Sequence, residues 1–272
     1  MKLTDTQIKF YKDQGYLIVE NIFSKEEINT LKESAKIFEE LKFSPNVICE
    51  KNGSIRSVFS PNNKVDSYDW LCKQKRLVEP ARQLIGNDVY MYQFKLNNKK
   101  ALSDECWEWH QDFPYWHLDD GVRFPDMVSI MILFQDTTIL HGALLFIPKS
   151  HKDGVVDFEE KKHLQIRKNE NKKNNLINSL NNDLKYTVKK DLIISNEENI
   201  AVGEGGIGTC IFFHPNLFHA SNSNLSPIDR NTAIITYNDI ENLPSNQDRP
   251  DFLCSRNYDA IKFEEREINS ER

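Results

Sequence analysis

The chain has 272 residues, 39% of them hydrophobic, and a formal net charge of -6. That length fits one large domain or two small ones with a sizeable core, and the negative balance argues against nucleic acid as the main partner, since phosphate binding needs a basic surface. No apolar run approaches a membrane span, and the N-terminus lacks the basic start and apolar centre of a secretory signal. The five cysteines are scattered, odd in number and without a Cys-x-x-Cys pair, which suits reduced thiols in a cytoplasmic protein and argues against a cysteine zinc site.

Thr4 can cap a first helix that runs to about Asp13 and stops at Gly15. Tyr16-Leu-Ile-Val19 reads as a short strand. Ser24 with Glu27 forms a capping box for a second helix, whose Ile28, Leu31, Ala35 and Phe38 fall on one face. A third helix spans roughly residues 68–85 and ends at Gly86, with Pro80 expected to bend or split it. From Val89 the texture turns to β, with short apolar or alternating segments at 89–96, 106–113, 128–134, 143–148, 208–213 and 232–237. Many short strands after a helical block predict a mainly β sandwich or jelly roll with helices packed outside, as a single domain over 1–272. A long polar insertion at about 155–199, including Lys168-Asn-Glu-Asn-Lys-Lys-Asn-Asn175, reads either as a lid or as a disordered excursion.

Three His-x-Asp pairs occur: His110/Asp112, His117/Asp119 and His151/Asp153. Residues two apart on a strand point to one side, so such a pair can offer an imidazole and a carboxylate to one metal. With a second imidazole from a distant strand, this becomes the ligand set of non-haem iron oxygenases, which leaves positions open for cosubstrate and oxygen. The motif alone is weak evidence, and context must choose. His110 and Asp112 lie in Trp107-Glu-Trp-His-Gln-Asp-Phe113, an aromatic-rich strand pattern suited to lining a cavity. His117 runs into the turn signal Asp120-Gly121, and His151 sits in a loop after a strand, so structural or surface roles are expected of both. His214 and His219 compete for the second imidazole. The small neighbours of His219 leave room beside a metal, and Arg230 follows at the entry of the next strand. A 2-oxoglutarate enzyme needs such a cation for the distal carboxylate, although Arg230 taken alone reads as a solvated turn residue.

Four ordered blocks resemble the phytanoyl-CoA dioxygenase superfamily, most of all its branch of ectoine hydroxylases and free-amino-acid (leucine-type) hydroxylases. They are Gly15-Tyr-Leu-Ile-Val19 with the helix from Ser24, Trp109-His-Gln-Asp-Phe-Pro-Tyr-Trp116 running on to Gly121, Gly142-Ala-Leu-Leu-Phe-Ile-Pro-Lys-Ser-His151, and Phe218-His-Ala-Ser-Asn-Ser-Asn224 with Arg230. Together they cover most of the chain outside the insertion. The resemblance implies a double-stranded β-helix with Fe(II), 2-oxoglutarate and O2 as cofactor and cosubstrates. It implies His110, Asp112 and His219 as iron ligands and Arg230 as the anchor of the distal carboxylate of 2-oxoglutarate. By the same resemblance Lys95, Trp116, Ser129 and Ser221 contact the cosubstrate, while Gln93 and Phe213 contact the substrate. Arg249 resembles a further substrate-contacting arginine, with a spacing slip of about two residues. The carboxylate at Asp112 implies hydroxylation; related halogenases carry a small residue there.

Two departures turn the expectation away from ectoine itself and toward a free amino acid or a derivative. The loop 97–101 lacks Pro-Gly character, and Ile234 stands where an aromatic helps grip ectoine. An ectoine-type osmolyte hydroxylase remains the alternative, with a cupin-like metal- or ligand-binding barrel as the reading from another class. The latter would have no use for Arg230 or for the set around Lys95. A zinc hydrolase would need a His-Glu-x-x-His or similar signature, which is absent from the sequence. The expected partner is a small molecule, and the family resemblance implies a monomer or homodimer.

Overall fold

The first helix begins and ends where its caps dictate. In the computed structural model, which describes residues 1–50, 52–160, 185–264 and 268, α1 (Asp5–Gln14) starts at a reciprocal box between Thr4 and Gln7. It stops at Gly15, whose φ of 83° is left-handed. After β1 (Tyr16–Val19), α2 (Lys25–Ser34) starts at the expected box of Ser24 with Glu27 and tightens into a 3-10 turn over Ala35–Glu39 that still buries Phe38. Two strands the sequence did not announce follow, β2 (Val47–Cys49) and β3 (Ile55–Phe59).

The expected third helix is two, α3 (Asp66–Cys72) and α4 (Lys75–Ile85). The break falls at Lys73-Gln74 rather than at Pro80, which corrects the expectation. Gln74 is extended, and its carbonyl opens α4 by accepting from Leu77 and Val78. Pro80 withholds one N–H from the carbonyl four residues back, and its buried ring leaves the helix continuous.

The six β windows become β4 (Val89–Lys99), β5 (Trp107–His110), β6 (Met127–Leu133), β7 (Leu144–Phe146), β11 (Cys210–Phe213) and β13 (Arg230–Asp239), and four short strands lie outside every window: β8 (Phe158–Glu160), β9 (Tyr186–Val188), β10 (Ala201–Gly203) and β12 (His219–Ser221). Between β5 and β6 the chain forms α5 (Phe113–Asp120), and α6 (Lys190–Ile194) follows β9. The window expected to stay extended to residue 113 therefore ends early: Asp112 is already helical (φ -75°, ψ -37°), and Pro114 in the first turn favours the helix start.

Two antiparallel sheets face each other, one ordered β1-β11-β6-β13-β4-β3-β2 and the other β10-β7-β12-β5. Met131, Leu133, Leu144, Phe146, Phe213 and Ile234 pack between them. Side chains of the opposite parity, such as Val128, Ile130, Ile132 and Ile235, pack with Leu31, Leu71 and Leu77 of the helices. Covered on both faces, β6 is buried throughout, which explains its nearly unbroken apolar run. The architecture is the double-stranded β-helix with N-terminal helices that the family resemblance implied. The centre of the polar insertion, 161–184, lies outside the described residues. Its two ends pair as the ribbon β8–β9, and Tyr186 packs edge-on against Tyr115 of α5 at 4.9 Å.

Candidate active site

The site begins with a strand register. β5 and β12 pair so that His110 stands directly opposite His219, with ring centroids 4.1 Å apart. Each ring is oriented by its own backbone: His110 Nδ1 bonds the Glu108 carbonyl at 2.7 Å, and His219 Nδ1 bonds that of Leu217 at 2.9 Å. A carbonyl can only accept, so each Nδ1 carries the proton and each Nε2 keeps a lone pair. Both Nε2 atoms lie 3.7 Å from Asp112 Oδ1. Asp112 reaches that point off the end of the strand, because the N–H groups of Asp112 and Phe113 both donate to the Pro215 carbonyl. Ligand atoms of all three residues fall within 4.8 Å of one another.

Burial drives the His110 imidazole down to about 3 and lowers His219 as well, so both are neutral, as metal ligation requires. Burial pushes the Asp112 carboxyl up, but His219, Lys95 and His110 outweigh it and hold it below the usual range. Two neutral imidazoles and a carboxylate, with no thiolate, make a donor set suited to ferrous iron, and the backbone bonds on Nδ1 are the outer partners such ligands ordinarily have.

The three residues open on a cavity of about 630 Å³ that Arg230 also lines. Arg230 is not the solvated turn residue its local sequence allows. It is 2% exposed, donates through Nη1 to the Gly142 carbonyl, and holds a buried Nε with no acceptor. Burial lowers its guanidinium to about 10, so it stays charged at neutral pH. A buried, charged donor without a partner is costly, and a ligand carboxylate relieves it. The residues present therefore fit both iron and a dicarboxylate keto acid.

The other expected residues divide. Lys95, Trp116, Ser221, Gln93, Phe213 and Arg249 all line the cavity. Lys95 neighbours Ile234 across β4–β13 and has no carboxylate within 4.0 Å among the described residues. Trp116 packs edge-on to Tyr92 at 5.3 Å, and Phe213 lies 5.2 Å from the His219 ring. Gln93 donates through Nε2 to the Leu253 carbonyl at 2.7 Å, while Arg249 spends Nε and Nη2 on Asp120. Ser129 shares the inward parity of Met131, but its hydroxyl is bonded to that of Thr236 at 2.9 Å and it stands outside the cavity wall. The competing histidines are occupied elsewhere. His117 bonds the Val122 carbonyl, His151 bonds that of Lys12, and His214 lies 5.0 Å from His151 and accepts from the Asn216 N–H.

Several wall residues escaped sequence reasoning. Arg56 stacks on Trp107 at 4.2 Å, and Lys185, within the insertion, pairs with Asp119 at 2.9 Å. Behind the wall, Lys99, buried opposite Arg230, donates at 2.6 Å to Oγ of Ser221, which lines the cavity. Its signal was the shared parity of positions 95, 97 and 99, hidden because the strand was expected to stop at 96.

Two facing antiparallel sheets with this triad and a buried arginine define the class: an iron(II)- and 2-oxoglutarate-dependent oxygenase. The chain belongs to the phytanoyl-CoA dioxygenase (PhyH) family, whose model matches residues 11–232. It is 31% identical over 263 residues to L-proline trans-4-hydroxylase of Streptomyces griseoviridis, covering 95% of each chain. It is 27% identical over 267 residues to the ectoine dioxygenase of Nocardia farcinica, covering 94% of this chain and 86% of the relative. The crystal structure of EctD from S. alaskensis with 2-oxoglutarate and 5-hydroxyectoine is similar, with a TM-score of 0.78, 26% identity and coverage of 96% and 87%. Among the described residues no helix is long and apolar enough to cross a membrane.

Proposed function

We propose that the protein hydroxylates an unactivated C–H bond of a free amino acid or close derivative, with His110, Asp112 and His219 holding the iron and Arg230 the distal carboxylate of 2-oxoglutarate. The observation that carries this reading is the shared cavity, with three converging ligand atoms and the buried, charged Arg230 all on its lining residues. When bound, the iron would let O2, the oxidant, take two electrons from 2-oxoglutarate, which leaves as succinate and CO2, and two from the substrate C–H bond, which becomes C–OH. The chain does the positioning. The Nδ1 bonds keep each Nε2 aimed, and the buried wall keeps water away from the reacting carbon. Lys95, Trp116 and Ser221 flank the cosubstrate.

For the substrate, Gln93 matters because its amide nitrogen is engaged with Leu253, which leaves Oε1 as an acceptor for an N–H group. Arg249 supplies a cation for a carboxylate, and Phe213 an apolar surface. An acceptor and a cation on one cavity suit a zwitterion. The relative named for L-proline supports an amino acid, and Ile234 offers no aromatic grip for ectoine. An ectoine-type osmolyte is the second reading, supported by the likeness to EctD. The chain is taken as one domain over 1–272, since both sheets contribute to one cavity and the described part of the 155–199 insertion adds Lys185 to its wall. Five free cysteines fit a reducing compartment such as the cytoplasm.

A succinate-release screen against L-proline, other free amino acids and ectoine tests the reading. Coupled turnover should be highest with an amino acid. Preference for ectoine would move the assignment to the second reading, and no stimulation by any of them would defeat both.

A further inference from the structure

The reading just given assigns Arg249 to a substrate carboxylate, and the residues around that arginine extend it. The side chain enters the cavity from the segment after β13, held on one side only: Nε donates to Asp120 Oδ1 at 2.7 Å and Nη2 to Oδ2 at 2.5 Å. Asp120 is 1% exposed, and the Tyr92 hydroxyl donates to the same Oδ2. Among the described residues Nη1 makes no hydrogen bond.

A two-pronged pair fixes the plane of a guanidinium as well as its place. With Nε and Nη2 committed, the Nη1 end is the edge left for another anion. Asp120 also closes α5, the eight-residue helix that begins directly after Asp112. At 1.5 Å per residue that helix is about 12 Å long, so a single rigid element spaces the metal ligand from the arginine's clamp. The contact beyond it is tight: Asn246 donates its N–H to the Asp120 carbonyl at 2.9 Å and its side chain to that of Asp119 at 3.0 Å. An added Cβ on Gly121 would meet Ser245 Oγ at 2.1 Å.

We propose that Asp120, backed by Tyr92, is a positioning residue for substrate specificity: it clamps Arg249 so that its Nη1 edge receives the carboxylate of an α-amino acid at a set distance from the metal. This rests on the amino-acid reading of the site, and the experiment separates the two. Kinetics and anaerobic calorimetry are run with iron and 2-oxoglutarate present, using the amino acid identified in the screen and its carboxamide.

The wild type should prefer the acid. Asp120→Asn should raise KM and Kd for the acid about 10- to 100-fold, the size expected for a charge-assisted hydrogen-bonded pair. Its kcat and its affinity for 2-oxoglutarate should stay within about threefold, and KM for the carboxamide should hardly move, so the preference collapses. Tyr92→Phe leaves the Arg249 pair in place and should give a smaller, still acid-specific rise of about 3- to 10-fold. It carries the test if Asp120→Asn does not fold. Variants that keep the acid-over-amide preference overturn the clamp and leave the proposed function standing. A wild type that takes amide and acid equally overturns the Arg249 assignment and the clamp with it.

Discussion

Arg230 shows how burial turns an ordinary cation into a receptor, and Lys99 shows what burying a second cation opposite it costs. Arg230 keeps its charge at neutral pH and has a donor to spare, so Arg230→Gln should raise KM for 2-oxoglutarate by about 100-fold or more. Succinate release at varied cosubstrate measures this, and substrate KM should change far less. Lys99 sits opposite it, and burial together with the Arg230 charge draws its ammonium down from 10.5 to about 7. Below pH 7 both folded and unfolded chains hold that proton, and the folded state bears the whole desolvation penalty. Between 7 and 10.5 only the unfolded state holds it. Stability attributable to this residue therefore rises with pH across that window and levels off above it. Lys99→Met should flatten the rise, as read from urea midpoints at pH 7 to 10. At the metal, His219→Ala should lower bound iron and cut turnover more than about 100-fold, checked by metal analysis beside the succinate assay.

At the scale of elements, the site depends on strand register. The β4–β13 pairing sets Arg230 against Lys99, Ile234 against Lys95 and Thr236 against Gln93, all facing the smaller sheet. A slip of one residue would turn this polar stripe toward the helices and bring the apolar one inside, so the two-sided packing enforces the alignment. Gly142 closes the same end. Its φ of 69° is left-handed, and an added Cβ would lie 2.4 Å from the Asn222 carbonyl. Gly142→Ala should destabilise by more than about 1 kcal/mol and raise KM for 2-oxoglutarate, because the Gly142 carbonyl is the acceptor for Arg230. Ser24→Ala makes the useful contrast. Losing that cap from α2 should cost about 1 kcal/mol in urea unfolding with both KM values unchanged.

For the molecule as a whole, the proposed site lies where two sheets meet and exists only in the folded chain, so binding of iron and 2-oxoglutarate there should add to folding stability. At about 100 times Kd the linkage is worth about 2.7 kcal/mol, or a Tm rise of roughly 5–10 °C for a chain of this size. Anaerobic thermal scans with and without both ligands should show it, and Asp112→Ala should abolish it.

Much of this was legible in the sequence where the information is local. Caps at Thr4, Gly15, Ser24 and Glu27 set the first helices through bonds spanning three or four residues. The aromatic frame around His110 and Asp112, the small residues after His219 and the ordered blocks with Arg230 sufficed to nominate the site. Tertiary structure alone decided that β12 pairs with β5 and so brings His219 to His110, that Asp112 leaves the strand to lean on the Pro215 carbonyl, that helix 68–85 breaks at Gln74, and that Arg249 is clamped by Asp120. The reason is physical: periodicity and caps report on neighbours along the chain, whereas register, burial and the partner of a buried charge are chosen among residues far apart in sequence, 129 positions for Arg249 and Asp120.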